Sequence, residues 1–278
     1  MMALPVQNMG FPVSGAYSWL ELQYKVLNHG SPVYTPDCLY QRYAPGEGIE
    51  VWSKPSSDGD YCHLYPHFLG DTRIRIALVE KRPSETFGRA DGLFVAYFNP
   101  KVDEGLEAVH ERLRYGNGKY TGVLPFVFSV PNYSWYSKLE MPILTYVHIA
   151  AFPLLLHAFE TEDDWIDSQL EDKGDKEDKN SGYFRGASFI PSPAFFEKES
   201  PDDFPEPTAI LSGIVLETAI NTNPVTGKDF SWAKIETAAG DMDLVVNPEL
   251  LDGYLVEGGV AAGNCYLSGR LPEFAPDI

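Results

Sequence analysis

The stretch YCHLYPHFLG, residues 61–70, brings Cys62, His63 and His67 close together, with Asp71 just beyond them. Two chemistries use such residues. Zinc needs three or four nitrogen, sulfur or oxygen ligands converging tetrahedrally, and this segment offers at most three. Consecutive residues of an extended chain point to opposite faces, so Cys62 and His63 cannot both aim inward without a tight turn. Pro66 rules out an ordinary helix interior that would set His63 and His67 one turn apart. No Cys-x-x-Cys completes a ligand set, and His29, His110, His148 and His157 are scattered. No metal and no cofactor are therefore expected. The second chemistry is nucleophilic: His63 or His67 could lower the pKa of the Cys62 thiol. Cys62, His63, His67 and Asp71 form the candidate catalytic set, weighed against a packed aromatic loop that enters the next strand. The loop is the preferred reading.

Other constellations are thinner. RYGNGKY (114–120) and NPVTGKD (223–229) each contain a Gly-Lys pair, but neither has both the earlier glycine and the following Ser or Thr of a phosphate loop. There is no Gly-x-Ser-x-Gly elbow, and Ser192 in SFIPSPAF sits between prolines as turn chemistry. Arg112, Arg114 and Lys119, beside Tyr115 and Tyr120, form a candidate anion patch or a solvated helix end. Asp241 and Asp243 could share a strand face as a carboxylate pair for a cation or for acid–base work; beside Gly240 they more often make a hairpin turn.

Charge narrows the partners. The net charge of −19 is uneven: residues 1–159 carry −2, 160–180 carry −7, 181–207 carry −3 and 208–278 carry −7. Nucleic-acid binding draws its affinity from lysines and arginines that displace counterions, so a nucleic-acid ligand is not expected. Three cysteines without repeated spacing suit reduced thiols in a cytoplasm better than a disulfide framework. The start of the chain lacks the pattern of a signal peptide. The most apolar run, MPILTYVHIAAFPLLLHAF (141–159), is broken by two prolines and two histidines; it reads as buried strand, not as a membrane span.

With 22 prolines and 24 glycines in 278 residues, long helices should be few. The expected fold is mainly β, an α+β chain with few short helices. GIEVW, TRIRIALVE, GLFVAYF, VLPFVFSV and ILTYVHIAAF read as strands, and in TRIRIALVE the residues Ile74, Ile76 and Leu78 alternate with a less apolar face. VDEGLEAVHERLRYG (102–116) has helical spacing. Thr161 and Asp164 form a capping pattern for a short helix whose stripe would be Trp165, Ile166 and Leu170. Residues 171–182 contain no apolar side chain and read as a mobile acidic loop. The proline- and acid-rich run 200–207 reads as a linker between a β-rich domain, 1–199, and a second domain, 208–278.

The second domain reads as a long strand TAILSGIVLETAINT, a turn, KDFSWAKIET, MDLVVN, a helical turn at PELL and a closing strand or strand pair at VEGGVAAGNCYLSGRL. In strand order and glycine placement (Gly213, then Gly258, Gly259, Gly263 and Gly269) residues 208–271 resemble the OB-fold superfamily, which implies a five-stranded barrel. The phrasing of the segment also resembles bacterial proteins of no assigned activity, which implies nothing about chemistry. Strand alternation puts Ala233, Ile235, Cys265, Leu267 and Leu271 on one face, and Phe230, Trp232 and Tyr266 on the other. Outward aromatics on such a barrel can stack bases, but ten acids against three basic residues in 208–278 favour their docking on the amino-terminal part or on a protein. The sequence therefore favours a non-catalytic binding or assembly module acting through protein–protein contacts or self-association. The alternatives are an enzyme around Cys62, His63, His67 and Asp71, and an oligonucleotide-binding barrel.

Overall fold

The computed structural model describes residues 5–12, 15–54, 63–84, 88–98, 125–173, 186–192, 206–272 and 274. Within them the chain is mostly β, as expected. A 3-10 turn, Pro5–Met9, precedes helix α1, Ala16–His29. Strands β1 (Ser31–Tyr34), β2 (Leu39–Gly46), β3 (Ile49–Lys54) and β4 (His63–Phe68) form a four-stranded antiparallel sheet in chain order. Gly46, Glu47 and Gly48 all have positive φ in the β2–β3 turn, and glycine supplies two of the three positions at no steric cost.

The larger sheet takes β5 (Ile74–Ser84), β6 (Gly88–Phe98), β7 (Pro125–Ser129) and β8 (Ile143–Phe159). After α2 (Glu162–Lys173) come β9 (Ser188–Pro191), β10 (Thr208–Thr222), β11 (Asp229–Thr237), β12 (Gly240–Val246), β13 (Leu251–Asp252) and β14 (Val260–Arg270). β10 pairs with β11, β11 with β12, β12 with β8 in parallel, β8 with β14, and β14 with β10. These pairings close a ring of five strands. Four come from the segment read as a second domain; the fifth, β8, comes from before the 200–207 run. Strand pairing therefore crosses the boundary read there, and the two sides share one sheet. β8 also pairs with β5, which continues through β6 and β7 back to β14.

Alternation sorts the ring strands as their sequences predict. Val147, Ile149, Ala151, Ala233, Ile235, Met242, Leu244, Cys265 and Leu267 point into one large core. Burying each large aliphatic side chain contributes about 1.5–3 kcal/mol, which fixes the register, because a one-residue slip would turn this face outward. The opposite residues of the same strands meet the small sheet. Phe230, Val245, Ala150 and Phe152 pack with Ile49, Val51 and Phe68, with Leu22 and Val26 of α1, and with Val6, Met9 and Phe11; Trp232 and Tyr266 pack against this second core.

Thr161 caps α2 as its spacing predicts: its hydroxyl accepts from Asp164 N at 3.1 Å, and Asp164 Oδ2 accepts from Thr161 N at 3.1 Å. Trp165 packs on Phe159, ring centroids 5.1 Å apart, but Leu170 is 44% exposed and leaves the predicted stripe incomplete. Residues 171–173 form the last turn of α2 and do not open the acidic loop; 174–182 and the helix predicted over 102–116 lie outside the described residues. Among the described residues no helix is long and apolar enough to cross a membrane.

Candidate functional site

Directly paired residues of an antiparallel sheet share a face. In the small sheet Arg42 pairs with Trp52, Trp52 with Tyr65, and Glu50 with His67. These five side chains face the outside of the ring. There β12, β8 and β14 align Asp243 with Ala150 and Ala150 with Ser268, while His148 pairs with Arg270. The methyl of Ala150 occupies little of the space between Asp243 and Ser268, and the imidazoles of His67 and His148 lie at this level of the seam. The two rings meet edge to face, centroids 5.2 Å apart.

The result is a continuous polar relay. Ser268 Oγ lies 3.0 Å from His67 Nδ1, His67 Nε2 lies 3.3 Å from His148 Nδ1, and His148 Nε2 lies 2.9 Å from Asp243 Oδ2. Asp243 also accepts from Thr72 Oγ1 at 2.5 Å and from Trp232 Nε1 at 2.8 Å. Burial pushes the Asp243 carboxyl up, but the donors from His148, Thr72 and Trp232 outweigh it and hold the group below its ordinary range. An ionised carboxylate is the strongest acceptor present. Along the Ser268–His67–His148 series the donor at each contact is set by the imidazole tautomers. The Gly70 amide donates to His148 Nε2 at 3.0 Å, so that nitrogen meets both a backbone donor and the Asp243 carboxylate. Desolvation, then His148, Arg270 and Arg42, press the His67 pKa well below the usual histidine value, so His67 is held neutral. Only glycine fits at position 70, where a methyl would overlap the Asp243 carboxylate.

A second cluster lies beside the first. Glu50, 1% exposed, accepts from Arg270 Nη1 through both oxygens at 2.9 and 3.0 Å, from Arg42 Nη2 at 2.6 Å and from Trp52 Nε1 at 2.8 Å. Both guanidinium groups also lie over the Trp52 ring, 5.9 Å and 5.4 Å from its centroid.

Ser, His, His and Asp in hydrogen-bond series can in principle activate a hydroxyl as a triad does. Access decides whether this one can. Ser268 is 1% exposed, His67 0%, His148 4% and Asp243 0%. A substrate cannot reach the hydroxyl while the seam is closed. An open cleft of 390 Å³ lies elsewhere, lined by Asp37, Lys81, Tyr133 and Lys138 among others. Its Lys81 ammonium already donates to the carbonyls of Tyr136, Ser137 and Leu139 at 3.2, 2.7 and 2.8 Å.

The four residues of the candidate catalytic set are not brought together as a set. Cys62 lies outside the described residues, as do Arg112, Arg114 and Lys119. His63 stands exposed at the start of β4 and Asp71 is exposed in the turn after it; only His67 is buried in the seam. Its partners are His148, Ser268 and Asp243, and of these the sequence singled out only Asp243, as half of a carboxylate pair with Asp241. Asp241 is not part of the relay. Trp232 and Tyr266 point outward from the ring as the alternation predicts, and Trp232 is held by its bond to Asp243. Phe230 is fully buried against Phe68, ring centroids 6.2 Å apart. No known protein family, characterised protein or solved structure matches the chain.

Proposed function

We propose that this chain is a non-catalytic binding or assembly module that acts through protein–protein contacts. One observation carries the reading: Leu20, Tyr24 and Leu27 recur at helical spacing along α1 and are 55%, 65% and 40% exposed. Large apolar side chains lined up on a surface mark contact sites more often than isolated ones do. The serine, histidines and aspartate of the relay are, by contrast, sealed inside, where they join the two sheets. In this reading the closed ring is an OB-like barrel whose fifth strand, β8, is supplied from the amino-terminal side. The face on which OB proteins stack bases carries Phe230 and Trp232, and the chain's own amino-terminal elements cover it. That cover, with the acidity of the segment, supports a protein partner over an oligonucleotide. The unpaired thiols of Cys38 and Cys265 support a cytoplasmic setting.

A second reading, an enzyme, is favoured by the relay alone. It would use Ser268 as nucleophile and His67 as base after the seam opens. One experiment separates the two. A fluorophosphonate probe, which labels activated serines, should leave Ser268 of the native protein unmodified, as judged by peptide mass spectrometry. Labelling of Ser268 that is lost in His67→Gln would replace the binding reading with the enzyme.

A further inference from the structure

The exposed stripe of α1 suits one kind of partner better than others. Trp19, Leu22, Gln23 and Val26 face the body of the protein, with Leu22, Gln23 and Val26 at most 6% exposed. Leu20, Tyr24 and Leu27 lie along a different line of the helix, separated by four and then three residues, so they stack on one face. Glu21 and Lys25 flank that line on the same side, 3.4 Å apart, with side chains 57% and 32% exposed.

Charge argues against a strongly basic partner here. Residues 1–54 carry a net charge of only −1, while the acidity lies in 160–180 and 208–278. The stripe is instead complementary to itself. In an antiparallel helix pair related by a two-fold axis, like flanks face each other. With the axis between positions 23 and 24, Leu20 meets the partner subunit's Leu27, the two Tyr24 rings meet near the axis, and Glu21 faces the partner subunit's Lys25. Each contact occurs twice, as an isologous interface requires.

We propose that α1 pairs antiparallel with α1 of a second copy of this chain, through Leu20, Tyr24 and Leu27 and reciprocal Glu21–Lys25 contacts. This rests on the binding reading above. A pairing built on one helix falls at the small end of specific interfaces, so the dimer should be concentration-dependent.

Sedimentation velocity on the full chain tests it. The wild type should shift from monomer to dimer as concentration rises from micromolar to sub-millimolar. Tyr24→Glu should remain monomeric with an unchanged far-ultraviolet circular dichroism spectrum. Glu21→Lys and Lys25→Glu should each weaken association at least tenfold, because each sets like charges opposite one another twice. Mixing these two variants in equal amounts should restore dimers, since the mixed pair has opposite charges at both contacts. Loss of the intrahelical Glu21–Lys25 pair cannot explain that recovery, because neither variant regains it on mixing. A wild type that stays monomeric, a dimer that survives Tyr24→Glu, or variants that fail to recover on mixing would each overturn the pairing. None of these outcomes bears on the serine-labelling test, so the broader binding reading fails or stands separately.

Discussion

His67 offers the sharpest thermodynamic test of the seam. It is fully buried, and desolvation together with His148, Arg270 and Arg42 holds its pKa far below the ordinary value. In the unfolded chain the same ring titrates near roughly 6.5. As pH falls the unfolded state therefore takes up a proton that the native state refuses, and stability falls with it. The sign is fixed: stability is full above about pH 6.5 and is lost progressively below it. Between pH 7.5 and 5.5 the unfolded state gains a factor of about ten from this one group, so the native state loses about 1.4 kcal/mol. Asp243 does not enter this window. Its carboxyl is held low, so its contribution is lost only as pH drops below about 4. Asp91, pushed up by burial, works in the opposite direction but equally in both proteins compared below.

The perturbation is His67→Gln, which keeps a polar side chain in the seam and removes the titration. It breaks geometry with Ser268 and His148, so it should cost stability at every pH. That offset is not the readout. Urea unfolding at pH 7.5 and 5.5, for wild type and variant, gives a difference of differences. The wild type should lose about 1.4 kcal/mol more than the variant on acidification, a midpoint difference of about 0.5 M for an m-value near 3 kcal/mol/M. Equal losses in the two proteins would refute the reasoning, because they would mean that native His67 takes up its proton as readily as a solvated histidine.

Three further substitutions probe the same region by urea unfolding. Glu50→Gln should destabilise by about 3–5 kcal/mol, because it leaves the Arg270 and Arg42 guanidinium groups buried without their carboxylate; a cost below about 1 kcal/mol would mean that the cluster is solvated. Ala150→Val should cost about 1–3 kcal/mol by overfilling the row between Asp243 and Ser268, and a neutral result would place the imidazoles elsewhere. Gly70→Ala should destabilise by at least as much, since its methyl collides with a carboxylate fixed by several donors. Finally, a fluorescent single-stranded oligonucleotide titrated at physiological salt should show no saturable binding; binding that strengthens at low salt and vanishes in Trp232→Ala would restore the nucleic-acid reading.

How much of this was legible in the sequence depended on the range of the physics involved. Local rules carried well. Two-residue alternation sorted Ala233, Ile235, Cys265 and Leu267 inward and Trp232 and Tyr266 outward, and the Thr161–Asp164 spacing marked the start of α2. Helix α1 was missed because it has two apolar lines, one buried through Leu22 and Val26 and one exposed through Leu20 and Tyr24. A helix apolar on two sides has no clean single-stripe signature.

The relay was illegible for a different reason. His67 meets His148 across 81 residues of chain and Ser268 across 201, and no local spacing encodes such a meeting. A weaker signal was nonetheless present. His148, Asp243, Ser268 and Arg270 occupy the outward phase of strands whose inward phase is apolar, and their nearest outward neighbours, Ala150, Phe152, Val245 and Tyr266, are small, apolar or aromatic. An outward face that mixes large apolar residues with isolated polar ones is not a solvated face, because water imposes no reason to place Phe152 or Val245 there. It has to be covered, and once covered, each polar group on it needs a partner from the covering element. Read this way, the outward residues predict both a second layer and the kinds of side chain that layer must carry: donors and acceptors at the level of Ser268 and Asp243, and a carboxylate at the level of Arg270. The small sheet meets two of these demands, with His67 at Ser268 and Glu50 at Arg270, the two residues that face each other across β3 and β4, while Asp243 takes its donors from His148, Thr72 and Trp232.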